Sequence, residues 1–214
     1  MAMPNWTKFP LVGNQLSLDF VNTKVVENGM PKDLLEGPAD LAAWAVAVKL
    51  LDLPRARKLA KLWQEPGNRE EFEEVLGFRK VLHALAEAMT RSESVKTPIL
   101  NAINEQLRTL NGYAEVLPSD EGFAKRFILE IHAPSQLLGP VAEAASNLLC
   151  YANPAYVKKC ENPACVLYFY DGTKNHSRRW CSMKACGNRT KVAAFYQRQR
   201  QQAKRKAQRQ QDVE

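Results

Sequence analysis

Three absences bound the reading of this 214-residue chain. No apolar run approaches the roughly 18 residues that cross a membrane, and Met1 to Pro10 lacks the apolar core of a signal peptide. A cytoplasmic protein that does not enter a membrane is expected. Histidine is scarce: His83, His132 and His176 lie far apart in sequence, and none falls in a nucleophile or metalloprotease motif. Catalysis is therefore not expected. Cysteine is missing from the first 149 residues. With no partners upstream and no secretory signal, a disulfide framework has no support. No internal repeat is visible.

What is present is unevenly placed. Residues 1–157 carry 16 Lys+Arg against 19 Asp+Glu, a balance of −3, whereas residues 158–214 carry 14 against 4, a balance of +10. Attraction to a polyanion belongs to the last quarter of the chain. Four of the five cysteines (Cys160, Cys165, Cys181, Cys186) fall in that same quarter, within 27 residues. The fifth, Cys150, sits on an apolar helical stretch and reads as core.

Helical signals dominate residues 1–155, so the expected class is mainly α with a small β-hairpin element (α+β). Leu16 to Thr23 suits a short strand or a first helical turn, and Glu27 to Pro38 reads as a loop because of Gly29, Pro31, Gly37 and Pro38. Helices are expected over Asp40–Leu51, over Pro54 to Gln64, and over a long stretch to Thr90 capped by Asn68. A further helix spans Pro98 to Leu110, and another Pro134 to Tyr151. Between them, Tyr113–Leu117 and Phe123–Ile131 flank a turn and read as a hairpin. Asn153-Pro154 marks the junction with a second module, residues 156–214.

That module carries the chemistry. The spacing Cys160-x4-Cys165-x15-Cys181-x4-Cys186 offers four thiols in two close pairs, and zinc takes four such ligands at about 2.3 Å in a tetrahedron. An iron–sulfur cluster can also use four thiolates. His176, between the pairs, could replace a thiol, but four cysteines already fill the tetrahedron. A site closed in this way is structural, with no open position for hydrolysis.

Val166 to Tyr170 is a strand signal ended by Asp171-Gly172, and Asn188 to about Gln210 is free of Gly and Pro. Thiol pair, hairpin, then thiol pair opening a helix is a treble-clef-like order. On the last helix Val192, Phe195, Tyr196 and Ala203 form an apolar seam suited to packing on the metal core. Lys191, Arg198, Arg205 and Arg209 share another face, and Arg189, Arg200 and Lys204 form a second basic strip.

Here the sequence resembles a known family. Trp180-Cys181-Ser182-Met183-x-x-Cys186-Gly187-Asn188-Arg189-x-Lys191 is similar to the signature of CGNR zinc fingers. Cys160-x4-Cys165, Phe169-x-Asp171 and Ser177-Arg178-Arg179 match the same pattern, except that Gly172 stands where a Ser or Thr is expected. Leu18-Asp19-Phe20-Val21-Asn22-Thr23 and Leu41-Ala42-Ala43-Trp44 resemble the ABATE domain that precedes such fingers. The resemblance implies a stress-induced bacterial transcription regulator with Zn2+ on Cys160, Cys165, Cys181 and Cys186. It implies binding of double-stranded DNA by the C-terminal module, hence a nucleoid location when bound.

Within the signature, Gly187 would allow a tight backbone at the metal loop, and Asn188 could cap the last helix. Arg178, Arg179 and Arg189 are candidate phosphate contacts, and Trp180 would pack under the metal loops. In the first domain, Asp19, Asn22 and Thr23 are polar residues in an apolar stretch. With Trp44 or Arg79 nearby they could line a small-molecule pocket, or they could cap helices and satisfy buried backbone groups. The corresponding expectation is a domain that senses an effector or forms a homodimer. The other readings are an RNA- or protein-binding module, and an enzyme domain with a basic targeting tail.

Overall fold

The axis of the fold is a 22-residue helix whose buried Phe72, Val75, Phe78, Leu82, Leu85 and Met89 recur at helical spacing. The computed structural model describes residues 8–211, with side chains through Gln202. In chain order it comprises α1 (Leu16–Val21), β1 (Lys24–Glu27), β2 (Met30–Asp33), α2 (Pro38–Ala47) and α3 (Leu53–Leu62). There follow the long helix α4 (Arg69–Thr90), α5 (Thr97–Arg108), β3 (Gly112–Ser119), β4 (Gly122–Leu129) and α6 (Leu138–Cys150). The last quarter holds β5 (Val157–Lys159), β6 (Tyr168–Tyr170) and α7 (Asn188–Gln211). The class is α+β: helices around a main core and, among the described residues, three separate antiparallel strand pairs. Among the described residues, no helix is long and apolar enough to cross a membrane.

The stretch from Glu27 to Pro38 is not a plain loop. Val26 pairs with Pro31 and Glu27 with Met30 across a two-residue turn, Asn28-Gly29, whose φ angles are +52° and +80°. Asn-Gly is the dipeptide that tolerates this geometry, and Pro31 is accommodated because the hairpin is a two-stranded edge. Leu16 to Val21 is helical, burying Leu18, Phe20 and Val21 against α4 and α6.

Helix ends show two further differences. Asp52 caps α3, its carboxylate accepting from the Arg55 N–H at 2.7 Å. Asn68 does not cap α4; its amide donates to the Leu62 carbonyl, closing a 3₁₀ turn that runs straight into the helix. The β3–β4 hairpin forms as expected, with Ser119 opposite Gly122, and presents Val116, Phe123 and Phe127 to solvent. Cys150 is exposed at the end of α6 and takes no part in the core.

Two hydrophobic cores meet in β6. Tyr168 is fully buried among the helices with Phe20, Trp44, Leu82 and Leu148. Its neighbour Phe169 is fully buried with Cys160, Cys181 and Cys186. Successive strand side chains point to opposite faces, so three residues serve both cores.

Candidate metal centre

The first thiol pair sits in the loop of the β5–β6 hairpin, not ahead of a hairpin turning at Asp171-Gly172. Lys159 pairs with Tyr168, and the Cys160 N–H donates to the Leu167 carbonyl at 2.9 Å. Inside the loop, the buried Asn162 accepts the Ala164 N–H at its side chain and the Cys165 N–H at its carbonyl. This folds four residues back tightly enough to aim both thiols one way. The second pair is held by a wide helical turn, Met183–Gly187, that leads directly into α7. Ser182 caps that turn, its hydroxyl accepting from the Ala185 N–H at 3.3 Å. Asn188, at φ −65° and ψ −43°, is already helical and is not the cap.

Gly187 owes its place to crowding. A Cβ there would come within 2.6 Å of Met183 Sδ and 3.3 Å of the Trp180 ring. Trp180 itself packs against the thiol cluster, as expected.

The four sulfurs lie within 4.8 Å of one another, with Cys165–Cys181 at 3.7 Å and Cys181–Cys186 at 3.5 Å. A tetrahedron with metal–sulfur bonds of about 2.3 Å has edges of about 3.8 Å, so the cluster fits one ion. Four adjacent thiols cannot all ionise unaided. The hydrogen bond from Cys181 pulls Cys165 down to about 5, while donating that bond drives Cys181 far up. Burial pushes Cys186 up to about 11. A divalent cation removes this conflict by stabilising all four thiolates. Around the sulfurs, the Cys181 N–H donates to Cys160 Sγ at 3.4 Å and Arg189 donates to Cys186 Sγ at 3.8 Å.

Two family models match the chain. The ABATE family, described as "Putative stress-induced transcription regulator", matches residues 14–152, and the CGNR zinc finger matches residues 156–199. The chain belongs to the ABATE family. Neither description is of an enzyme. No curated protein matches the sequence.

In the CGNR finger, Asp171 is the hub. Its buried carboxylate accepts from Lys158 Nζ at 2.7 Å, the Arg178 N–H at 2.8 Å and the Thr173 hydroxyl at 2.6 Å. Burial alone would raise its pKa, but these bonds more than offset that and hold it well below the carboxylate range. Thr173 thus supplies, one residue later, the hydroxyl that Gly172 cannot. His176 stacks on Tyr156 at 3.5 Å and bonds the Asp171 carbonyl through Nδ1, which places it outside the sulfur cluster.

The basic residues divide sharply. Arg178 is committed inside the protein: its guanidinium donates to the carbonyls of Trp180, Cys181 and Val12 and lies 4.2 Å over the Phe169 ring. Arg179 is exposed but paired with Glu161 at 2.6 Å. Lys191, Arg198 and Arg200 are exposed on α7. The side chains of Lys204, Arg205, Arg209 and Ala203 lie outside the described residues. The apolar seam does not pack on the metal core; Val192, Phe195 and Tyr196 are 55%, 51% and 61% exposed. The reason is that α7 touches little beyond the turn it grows from. Beside its start, a hollow of about 410 Å³ is lined by Lys174, Asn175, Ser177, Arg178, Arg179 and Trp180.

In the ABATE part, the proposed ligand residues do not converge on one pocket. Asn22 bonds the backbone of Tyr168, and Trp44 is wholly buried against Phe20 at 5.0 Å. Asp19 accepts the Gly13 N–H at 2.8 Å. Thr23 donates to the Phe20 carbonyl and accepts from Arg79, which also forms a two-pronged ion pair with Asp33. All five are engaged within the protein, and Arg79 also borders a cavity. Asp33 and Lys158 were missed by the sequence reading, since each gains its role from a residue that only the fold brings near, Arg79 and Asp171; Lys174 was missed because only the fold places it on the hollow beside α7.

Proposed function

We propose that the protein is a zinc-dependent transcription regulator that binds double-stranded DNA through residues 156–214, with residues 1–155 as its input domain. The observation that carries this reading is α7: a long helix, rich in Lys and Arg, that leaves the metal turn with nearly all its side chains uncovered through Gln202. A helix held at one end by a metal site and bare over its described side chains is free to enter a groove or track phosphates. Zinc fits a closed, four-sulfur tetrahedron in which the ion fixes geometry and does no chemistry. Lys191, Arg198, Arg200, Lys204, Arg205 and Arg209 are its proposed contacts, with Arg179, Arg189 and Lys174 at the root of the helix. Arg178 serves by orienting the loop and not by meeting DNA. A cytoplasmic location and a small-molecule input or homodimer complete the proposal.

The test is recovery of fragmented genomic DNA by the zinc-loaded protein at two salt concentrations, beside Cys181→Ser. Enrichment of discrete loci, lost in the variant, is expected. With four to seven phosphate contacts, log affinity should fall against log salt with a slope of roughly −4 to −6. Recovery of RNA in preference to duplex DNA, or of no nucleic acid, would overturn the reading.

A further inference from the structure

The β1–β2 hairpin stands over the middle of α4, and the space beneath it is not filled. One hollow of about 400 Å³ is lined by Val21, Lys24, Val25, Pro31, Asp33, His83 and others. A second, of about 200 Å³, is lined by Val21, Lys24, Arg79, Lys80 and His83. They share Val21, Lys24 and His83, so together they form one cleft of the size that takes a small ligand. Val166, next to the metal-loop residue Cys165, closes the far wall.

Chemistry in the cleft has two parts. Val21, Val25, Val26, Pro31 and Val166 give an apolar wall. The other part is cationic: among the described residues neither Lys24 nor Lys80 has an ion-pair partner, whereas Lys32 at the rim is tied to Glu27 at 2.6 Å. At the floor, Arg79 is only 3% exposed and its Nε has no hydrogen-bond partner, although Asp33 and Thr23 hold its other nitrogens. A buried guanidinium N–H left unpaired is costly, and an acceptor on a bound molecule would relieve it.

The remaining charges facing the cleft are Asp33, which is engaged by Arg79 and also feels the charge of Lys24 across the strand pair, and His83, which Glu87 approaches at 3.8 Å while Lys159 lies farther round. Burial lowers the His83 pKa, so it offers a neutral ring for hydrogen bonding. The balance is positive with an apolar wall.

We propose that this cleft binds a small organic carboxylate with an apolar body, its carboxylate meeting Lys24, Lys80 and the Arg79 N–H and its body lying along the valines. The site deepens the regulatory reading above, because it names the class of effector. It also shows a route for the signal. The floor residue Arg79 donates to Thr23, whose neighbour Asn22 holds β6, and the wall residue Val166 adjoins a thiol, so an occupant lies against both parts of the chain at once.

Binding is measured by calorimetry on the full-length, metal-loaded protein without DNA, which separates this proposal from the DNA reading. The probes are hexanoate, benzoate, acetate, inorganic phosphate and hexanamide. Hexanoate and benzoate should bind at millimolar concentration or better, with hexanamide and acetate at least tenfold weaker, one power of ten being about 1.4 kcal/mol. A Lys24→Gln/Lys80→Gln variant should lose about tenfold in hexanoate affinity, and Lys125→Gln, exposed on β4, should stay within about twofold. Unchanged far-ultraviolet dichroism and metal content show that each variant is folded. Equal binding of hexanamide, binding of phosphate as tight as of hexanoate, or binding indifferent to Lys24 and Lys80 would each overturn the proposal. No binding of any carboxylate would overturn it too.

Discussion

The side-chain amide of Asn22 and the backbone of Tyr168, 146 residues apart, exchange two hydrogen bonds: Nδ2 donates to the Tyr168 carbonyl at 2.8 Å, and Oδ1 accepts its N–H at 2.9 Å. The amide thereby acts as a one-residue strand paired to β6, fastening the helical body to the metal module. Both partners are buried. Asn22→Ala leaves a donor and an acceptor of Tyr168 without partners, and an unsatisfied buried group costs about 1–3 kcal/mol. Urea unfolding should show a loss of about 2–4 kcal/mol with metal content unchanged. A loss below half a kilocalorie would mean that water or a shifted strand replaces the amide.

Metal removal should be felt in both parts. Emission spectrometry is expected to find one ion per chain, and Cys181→Ser to find almost none. Chelation should also lower protection from hydrogen exchange in α1 and α4, because Tyr168 is positioned by the same strand that carries Phe169 into the metal core. Protection lost only in residues 156–199 would show that the helical core stands without the ion.

Arg178 and the α7 arginines should separate cleanly. Arg178→Ala removes three carbonyl contacts and should destabilise the protein by about 2–4 kcal/mol, leaving the salt slope of nucleic-acid binding as it was. Arg198→Ala/Arg200→Ala should leave stability within about 0.5 kcal/mol and reduce the slope by about two. The reverse pattern would move the interface from α7 to the metal loop.

Asp19 makes a pH prediction. Burial raises its carboxyl to about 6, against the opposing pull of the Gly13 and Val12 N–H groups and the Arg178 charge. In the unfolded chain the group titrates near 3.8. Between roughly pH 4 and 6 the folded protein therefore holds a proton that the unfolded chain has released, and stability falls as pH rises through that window. Asp19→Asn keeps the acceptor oxygen and removes the titration. Relative to wild type, the variant should gain on the order of 2 kcal/mol between pH 4 and pH 7 in denaturant titrations. Parallel profiles for the two proteins would refute the assignment.

The four-thiol cluster was legible because its information is local: thiol type and spacing lie within 27 residues, and a helix follows at once. The helices were legible for a similar reason, since apolar spacing reports which side chains share a face. It does not report what covers that face, which is why Val192, Phe195 and Tyr196 read as core and stand in solvent. Polar residues were harder to read. Asn22 was open to lining a pocket or to satisfying buried backbone groups, and it does the latter for Tyr168, a partner only the fold brings near. Arg178 read as a phosphate contact, because its bond to the Val12 carbonyl likewise spans the fold. The hairpin at Asn28-Gly29 was hidden by Pro31, although its turn dipeptide was in view.

Tyr168 and Phe169 also constrain what can be exchanged. A finger transplanted from another chain would bring its own residue to the position of Tyr168, and with it a hole or a clash in the helical core beside His83. A helical body given no finger would be short of one of its largest core side chains. Replacement of large buried side chains by small ones costs about 3–5 kcal/mol, a large part of what holds a domain folded. The two parts can therefore be swapped only as a matched set, and a graft that exchanges the exposed helix alone has to begin beyond Gly187, in the segment that the rest of the molecule barely touches.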